Sequence, residues 1–354
     1  MSGGPNTIFH VTMPLAAAGH AIRYVATGGP RDDDIDGLRR HVASVSGIPA
    51  DLVEFVDASR PGDALELGLD DVLIATWWPT AHTAAAGLAA TQASAFIYLI
   101  QDFEPGFYPW STKYALAAAT YDLPFRAIVN EPTLLDHLRS ADVGRFADGS
   151  QSAISFMPAV DSAVFTPTSR RSDGPRRLAF YARPKHARNM FDLGLAVLRA
   201  AEVEGVFDDD DWELAAIGES VPELPVGRLR LRPTPWLDYA AYGAYLAGTD
   251  VLVSLMLSPH TSYPPLEMVG TGGHVVTNTF GGKTEAALKA ISPRIHAASP
   301  AVEPLVAALA GAVAATRSTA GPGSAPGLPT SWVDALRDVT PWLVETVDAL
   351  RAGR

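Results

Sequence analysis

The stretch SRRSDGPRRLAFYARPKHAR, residues 169–188, decides the architecture. Its first nine residues hold four Arg, an Asp, a Gly and a Pro, with no apolar periodicity. That composition reads as a solvated interdomain linker over 169–177. The next five residues, Leu-Ala-Phe-Tyr-Ala, read as a strand that starts afresh. A cationic turn follows (Arg183, Lys185, His186, Arg188), and an Ala/Leu-rich helix opens from it over 188–203. A linker followed by a new strand, turn and helix divides the chain into two α/β domains.

The same alternation extends in both directions. Before the linker, strands are expected at 21–26, 52–55, 72–76, 95–101, 126–129 and 153–156, with helices at 5–18, 35–46, 80–92, 112–121 and 131–141. After 178–182, strands are expected at 213–217, 229–232, 251–255, 274–278 and 294–298. Helices are expected at 237–247, 264–270, 283–290 and 301–317. Short β-branched runs alternating with longer Ala/Leu-rich runs indicate parallel sheets covered on both faces by helices. Residues 1–168 and 178–330 are therefore read as two Rossmann-like, doubly wound domains. The tract TAGPGSAPGLPT, 319–330, is a flexible connection. A final amphipathic helix, within 331–354, is expected to pack back across both domains. Gly19 has the place of a helix-ending C′ residue. Gly3 and Gly4 stand before the first helix, where a doubly wound domain places the turn after its first strand. No strand is legible ahead of them, so the first sheet lacks that strand or is completed in another way.

Composition bounds the function. At 354 residues the chain exceeds one hydrophobic core. It is 47% hydrophobic and 19% charged, which excludes wholesale disorder. A net charge of −12 disfavours nucleic acid and anionic lipid as partners. There is no cysteine, hence no disulfide framework and no thiolate metal site. The first 24 residues lack the basic start of a secretory signal. The Ala-rich run 301–316 is too short for a membrane span and contains Glu303. These features give a cytoplasmic expectation, with at most peripheral membrane contact.

Ligands of open parallel sheets bind beyond the C-terminal ends of strands. After 72–76 come Trp77, Trp78, Thr80 and His82. After 95–101 comes Asp102–Trp110, with two acids and four aromatics in nine residues. Aromatic faces beside carboxylates are the usual lining of a sugar site. After 178–182, Arg183, Lys185 and Arg188 have the chemistry of a diphosphate clamp. After 251–255, the loop with His260, Thr261, Ser262 and Tyr263 leads into a helix opened by Pro264 and Pro265, where missing N–H groups cost nothing. That helix start is an anion site, and Glu267, placed in its first turn, has a carboxylate suited to a ribose diol. After 274–278, the Gly281–Gly282 turn offers a backbone phosphate cradle. Ordinary alternatives exist at each position: core packing for the tryptophans, solvation for the cations, dipole complementation for Glu267. The acidic run 208–211 lies before a strand and reads as a solvated turn. No metal-binding or nucleophile motif is present, so no metal site and no cofactor are expected.

These residues also carry a resemblance. SPHTSYPPLEM followed by VGTGGHVVTN, residues 258–278, resembles the donor-site loop, Glu-bearing helix and next strand of the retaining family-four GT-B glycosyltransferases. Ala182-Arg183-Pro184 with Arg188-Asn189 is similar to the family's diphosphate motif, and Pro158–Asp161 with Phe165 and Pro167 resembles the segment closing its first domain. YLIQDFEPGFYPWSTKYALAAATY, residues 98–121, is similar to the WsaF-type rhamnosyltransferases of bacterial surface-polysaccharide synthesis. The resemblance implies a GT-B fold with the reaction in the cleft between its domains. It further implies a retaining hexosyltransferase moving a sugar from a nucleotide-sugar co-substrate, dTDP-rhamnose being the candidate, to a glycan or lipid-linked glycan. Glu267 would bind the ribose, Arg183 and Arg188 the diphosphate with Lys185 assisting, and backbone near Ser262 and Tyr263 the donor phosphates. Asp102 or Glu104 would bind the acceptor or act as base. Three positions depart from the family: Pro259 stands where a Glu is frequent, Ser262 where a Gly is usual, and Gln101 where a His is common. Pro259, Gln101 and the missing first strand favour the alternative, an inactive glycosyltransferase-like module that binds a glycan or protein.

Overall fold

The structure, a computed structural model, describes residues 3–28, 35–49, 53–60, 62–167, 174–318 and 325–353. Residues 169–173 of the expected linker, Leu52 at the start of the second expected strand and 319–324 of the expected connection lie outside them. The chain runs α1 (Gly3–Ala17), β1 (Ile22–Ala26), α2 (Ile35–Ser46), β2 (Val53–Asp57), β3 (Ile74–Ala75), α3 (Trp78–Gly87), β4 (Phe96–Ile100), α4 (Thr112–Ala119), β5 (Phe125–Asn130), α5 (Pro132–Ser140) and β6 (Ala153–Phe156). It continues with β7 (Arg176–Ala182), α6 (Phe191–Val203), β8 (Trp212–Gly218), β9 (Leu224–Val226), β10 (Leu229–Pro233), α7 (Tyr239–Ala247), β11 (Val251–Val253), α8 (Tyr263–Gly270), β12 (His274–Asn278), α9 (Glu285–Ile291), β13 (Ile295–Ala298) and α10 (Val302–Ser318). Two helices close it, α11 (Trp332–Ala335) and α12 (Val339–Arg351).

The chain forms two compact units. The first comprises residues 1–132, 138–158 and 332–354; the second comprises 133–137 and 159–331. In the second unit seven strands form one sheet in the order β13-β12-β11-β7-β8-β10-β9. All pair in parallel except β9 with β10. Its strands β11 and β12 are buried along their whole length, on both faces, as a helix-covered parallel sheet requires. Leu178, Phe180, Val251, Val253 and Val276 meet Leu198 of α6 and Leu305 and Leu309 of α10 in one core.

In the first unit the sheet comes in two pieces, β1-β2 and β3-β4-β5-β6, each parallel. α1 covers both. Phe9, Met13 and Ala16 pack with Val42, Val53 and Tyr24, whereas Val11 and Leu15 pack with Ile97, Leu99 and Ile128. Its end follows the expectation for Gly19, which has φ +91°. The His20 N–H donates to the Leu15 carbonyl and the Gly19 N–H to that of Ala16, each at 3.0 Å, so two terminal carbonyls are satisfied.

The expected final helix over 331–350 is two helices. Its apolar spacing continues through the break, because Leu336 and Val339 join Leu343, Val347 and Leu350 in the core under β4 and β5. Pro341, in the first turn of α12, marks where the second helix begins. Leu343 is 1% exposed. Leu343→Ala is therefore expected to cost about 2–5 kcal/mol. Hydrogen exchange should register the loss at Ile97 and Leu99 of β4 while the amides of β7 and β11 keep their protection.

Candidate functional site

In the second unit the expected diphosphate turn follows β7. The ladder aligns Ala182 with Gly218, which brings Glu219 beside the turn. The Glu219 carboxylate lies 3.5 Å from Arg183 Nε and 3.0 Å from His186 Nε2, and Oε2 accepts the Lys185 N–H at 3.2 Å. Arg183 also contacts His186 through its guanidinium. Arg183 is thus held in an ion pair by an acid that sequence reading did not single out. Burial, then the charge of Arg183, lowers the His186 pKa. Lys185 itself is exposed. Arg188 stands in a separate short turn, Ala187–Asn189, because Met190 adopts a left-handed conformation (φ 47°) ahead of α6.

The loop after β11 is fixed by polar side chains. Met256 donates its N–H to Asn278 Oδ1 (2.8 Å), and its carbonyl accepts from Asn278 Nδ2 (3.0 Å) and Lys283 Nζ (2.8 Å). Lys283 is fully buried. Leu257 donates its N–H to the Arg188 carbonyl at 2.7 Å, which joins this loop to the turn after β7. Farther on, the Ser258 hydroxyl oxygen accepts the His260 N–H (3.1 Å) and His260 Nδ1 accepts the Ser262 N–H (2.9 Å). His260 and Thr261 are buried. Ser262 sits at φ 76°, ψ 152°, backbone space that is essentially glycine's.

The helix begins one residue earlier than expected, at Tyr263, so Glu267 falls in the second turn rather than the first. Dipole complementation at the helix start therefore does not account for it. Glu267 interacts with three tyrosines from two other elements: Tyr181 of β7, and Tyr239 and Tyr242 of α7. Burial pushes its pKa up to about 7, against a smaller lowering from the Tyr242 hydroxyl. Gly281 and Gly282 make a turn with φ +53° at Gly281, and a Cβ on Gly282 would lie 2.2 Å from the Thr133 carbonyl. Close packing against residues 133–137 of the same unit thus suffices to require glycine here.

In the first unit, Glu104 is 7% exposed. Its Oε2 accepts the Trp78 N–H at 2.6 Å and the Tyr98 hydroxyl at 3.3 Å, so it caps the first turn of α3 from the loop after β4. Asp102 is likewise buried, and its Oδ1 accepts the Phe103 N–H at 2.8 Å. Aromatic rings surround this pair. Trp78 meets Trp77, His82 and Tyr108 edge to face at 6.1 Å, and its Nε1 donates to the Tyr108 hydroxyl at 3.0 Å. Trp110 stacks on Tyr114 and is 92% exposed. Burial, then the charge of Glu104, raises the Tyr98 pKa. Among the described residues no three His, Asp or Glu side chains form a metal-ligand set, and no helix is long and apolar enough to cross a membrane.

Ser262→Gly should relieve the backbone strain and raise stability by about 1 kcal/mol, read as a higher denaturation midpoint at unchanged m-value. An unchanged or lower midpoint would show that Ser262 rests there without strain.

Comparison with known proteins gives this geometry a family. The WsaF N-terminal domain matches residues 41–130 and the WsaF C-terminal domain residues 176–310, together more than half of the chain. The O-antigen biosynthesis protein RfbC of Myxococcus xanthus is 38% identical over 223 residues, which are 62% of this chain and 16% of that protein. The chain thus spans about a sixth of that relative's length. Among solved structures, Anabaena HepE in complex with UDP-glucose aligns with TM-score 0.65 at 12% identity, covering 99% of this chain and 96% of that one. Sucrose-phosphate synthase from Thermosynechococcus elongatus aligns with TM-score 0.59 at 14% identity, covering 99% and 89%. These likenesses establish the GT-B fold, and with both domain matches the chain belongs to the WsaF family of GT-B glycosyltransferases.

Proposed function

We propose that this glycosyltransferase takes a sugar from a nucleoside diphosphate sugar held in its second unit and transfers it to a glycan acceptor of surface-polysaccharide synthesis. One observation carries the reading. Arg183 and Arg188 of the turn and the desolvated Glu267 of α8 all act on Tyr181, near the C-terminal end of β7 beside β11. That set has cations and the positive end of a helix dipole for a diphosphate and a carboxylate for a diol. The complex of HepE with UDP-glucose and the O-antigen name of RfbC support the substrate classes. Rhamnose, from dTDP-rhamnose, is the sugar we infer from the WsaF family, with retention at the anomeric carbon.

The chemistry asks little of the protein beyond electrostatics. Arg183 and Arg188 would neutralise charge growing on the leaving diphosphate, whose own oxygen takes the acceptor proton on the same face. Lys185, exposed beside them, would assist. His260, Thr261 and Ser262 would shape the phosphate-facing loop, with Tyr263 opening the helix behind it. In the first unit, Asp102, Glu104 and the rings around Trp78 would line the acceptor. No cofactor or metal enters this scheme. The reaction belongs in the cytoplasm, where nucleotide sugars are made. A second reading, an inactive glycan-binding module, is favoured by Pro259 and by the pairing of Arg183 with Glu219.

Calorimetry with dTDP, UDP and GDP, with and without EDTA, tests the donor site. Tight binding of one nucleotide, indifferent to EDTA, is expected. Binding of none would sink the proposal, and binding without turnover of the matching nucleotide sugar would favour the second reading.

Glu267 supplies a pH signature. A diol donates to its carboxylate, so affinity should rise as pH increases through about 7 and then level off. Glu267→Gln should abolish that rise and weaken binding above pH 7 by about 1–3 kcal/mol. For the protein without ligand the sign reverses. An acid whose folded pKa is raised costs stability as pH climbs from 4.5 toward 7, so the variant should melt higher than the parent at pH 8 and match it below pH 4.5. Arg183→Ala should slow transfer more than it weakens binding of the free nucleoside; equal losses would remove Arg183 from the diphosphate.

A further inference from the structure

Residues 159–167 belong to the second unit, although they precede its first strand. They form a tight turn ahead of β7. The Asp161 carbonyl accepts the N–H groups of Val164 (3.0 Å) and Phe165 (2.8 Å), and Asp161 Oδ1 accepts that of Ala163 (2.9 Å). An Asp side chain bonded in this way holds its own backbone in a turn. The Thr166 hydroxyl donates to the Ser162 carbonyl at 2.9 Å and fastens the far side. The turn is thus a preformed piece, and it buries Phe165, which is 1% exposed.

Two helices make room for it. Gly243 lies within α7, where glycine is a poor helix former. A Cβ there would stand 2.5 Å from Val164 Cγ1 and 2.6 Å from the Val164 carbonyl oxygen. Gly270 ends α8, and a Cβ on it would stand 3.0 Å from Val160 Cγ1 and 3.6 Å from Phe165 Cβ. Each helix therefore has a glycine where the turn comes against it. The Phe165 ring meets those of Tyr239 (5.5 Å, 84°) and Tyr242 (6.0 Å, 79°) edge to face. These tyrosines are three apart on α7 and so share one face. They are the same two that interact with Glu267 of α8.

The charges around the acid are few. Tyr181 of β7 and Tyr239 and Tyr242 of α7 interact with Glu267 itself. Behind them, Arg183 and Arg188 act on Tyr181, and the exposed Asp161 and Tyr263 act on Tyr239. Burial is the larger influence on the acid and raises its pKa, while the Tyr242 hydroxyl lowers it by less. Excluding water from among these rings therefore governs the acid more than that hydrogen bond does. Phe165 has neither charge nor hydroxyl, so it acts on Glu267 only by filling space and fixing the tyrosine rings.

We propose that Phe165 is the positioning residue of Glu267: anchored by its turn, it wedges Tyr239 and Tyr242 in place beside the carboxylate and keeps water out from among them. Its part in donor binding rests on the reading of Glu267 as the ribose-binding group. Phe165 touches no ligand in this arrangement. It gives a turn that precedes β7 a share in nucleotide recognition, through two tyrosines and one acid.

The test compares Phe165→Leu with Phe207→Leu in the full chain. Phe207 is equally buried but packs on Trp212 at the start of β8. The Glu267 carboxyl, assigned by its absence from Glu267→Gln, is titrated by carbon-13 NMR without ligand. Calorimetry across the same titration reads the affinity for whichever of dTDP, UDP and GDP the parent binds, and for inorganic pyrophosphate. In Phe165→Leu the Glu267 pKa should fall from about 7 by about one unit toward the ordinary carboxylate range. Nucleotide affinity on the alkaline side should drop about tenfold, with pyrophosphate binding unchanged. Phe207→Leu should melt lower with the pKa and both affinities kept. A Phe165→Leu protein that melts lower but keeps the parent's Glu267 pKa would overturn the proposal, as would equal losses of nucleotide and pyrophosphate affinity. Should the leucine variant not fold, Phe165→Met keeps the volume without the rigid ring, and the same shifts in the same directions are required of it. A lowered pKa with nucleotide binding indifferent to both Phe165→Leu and Glu267→Gln would support the wedge and remove Glu267 from the ribose, so the two readings fail separately.

Discussion

The second unit hangs the loop after β11 on the backbone of Met256. A loop leaving a buried parallel strand has no ladder to satisfy its N–H and C=O groups, and each one left bare costs free energy. Asn278 answers both groups of Met256 from the neighbouring strand, and the buried ammonium of Lys283 reaches the same carbonyl. The Arg188 carbonyl takes the next N–H, so the turn after β7 and the loop after β11 are one piece. Only an over-determined loop can hold Ser262 in glycine's backbone space and deliver α8 at a fixed angle. The placement of Glu267 follows from that angle.

The first unit solves a different problem. Its acids are not free groups in a cleft but parts of the wall. Glu104 ties the loop after β4 to the start of α3, with Trp78 and Tyr98 as donors. The rings of Tyr108 and His82 then each stand perpendicular to that of Trp78. An aromatic wall backed by carboxylates has both apolar faces and hydrogen-bond acceptors. Rigidity here comes from the same residues that give the wall its polarity.

Much of this was legible in the sequence because local pattern and tertiary role agreed. The alternation of buried strands and amphipathic helices located both doubly wound units, and Pro264 and Pro265 marked the start of α8. What stayed hidden depends on register or on very short elements. β9 has three residues, one of them Pro225, and carries no periodicity of its own. The break between α11 and α12 preserves apolar spacing, so only Pro341 betrayed it. Glu219 is 36 residues from Arg183, and they meet only because β7 and β8 pair in one register. The divided first sheet was foreshadowed by the glycine pair at Gly3 and Gly4, whereas the tyrosines around Glu267 come from two distant elements, β7 and α7, and leave no local mark.

The pairing of Arg183 with Glu219 gives the cationic turn a resident anion. A ligand that engages Arg183 does not find a bare charge; it enters by exchange, displacing a carboxylate already hydrogen-bonded to the Lys185 amide. A singly charged intruder gains little from that trade, since it replaces like with like. A group with two negative charges gains more, because it can also draw on the helix start and the neighbouring Arg188. For any anion drawn to Arg183, the internal carboxylate would set a threshold that grades anions by valence.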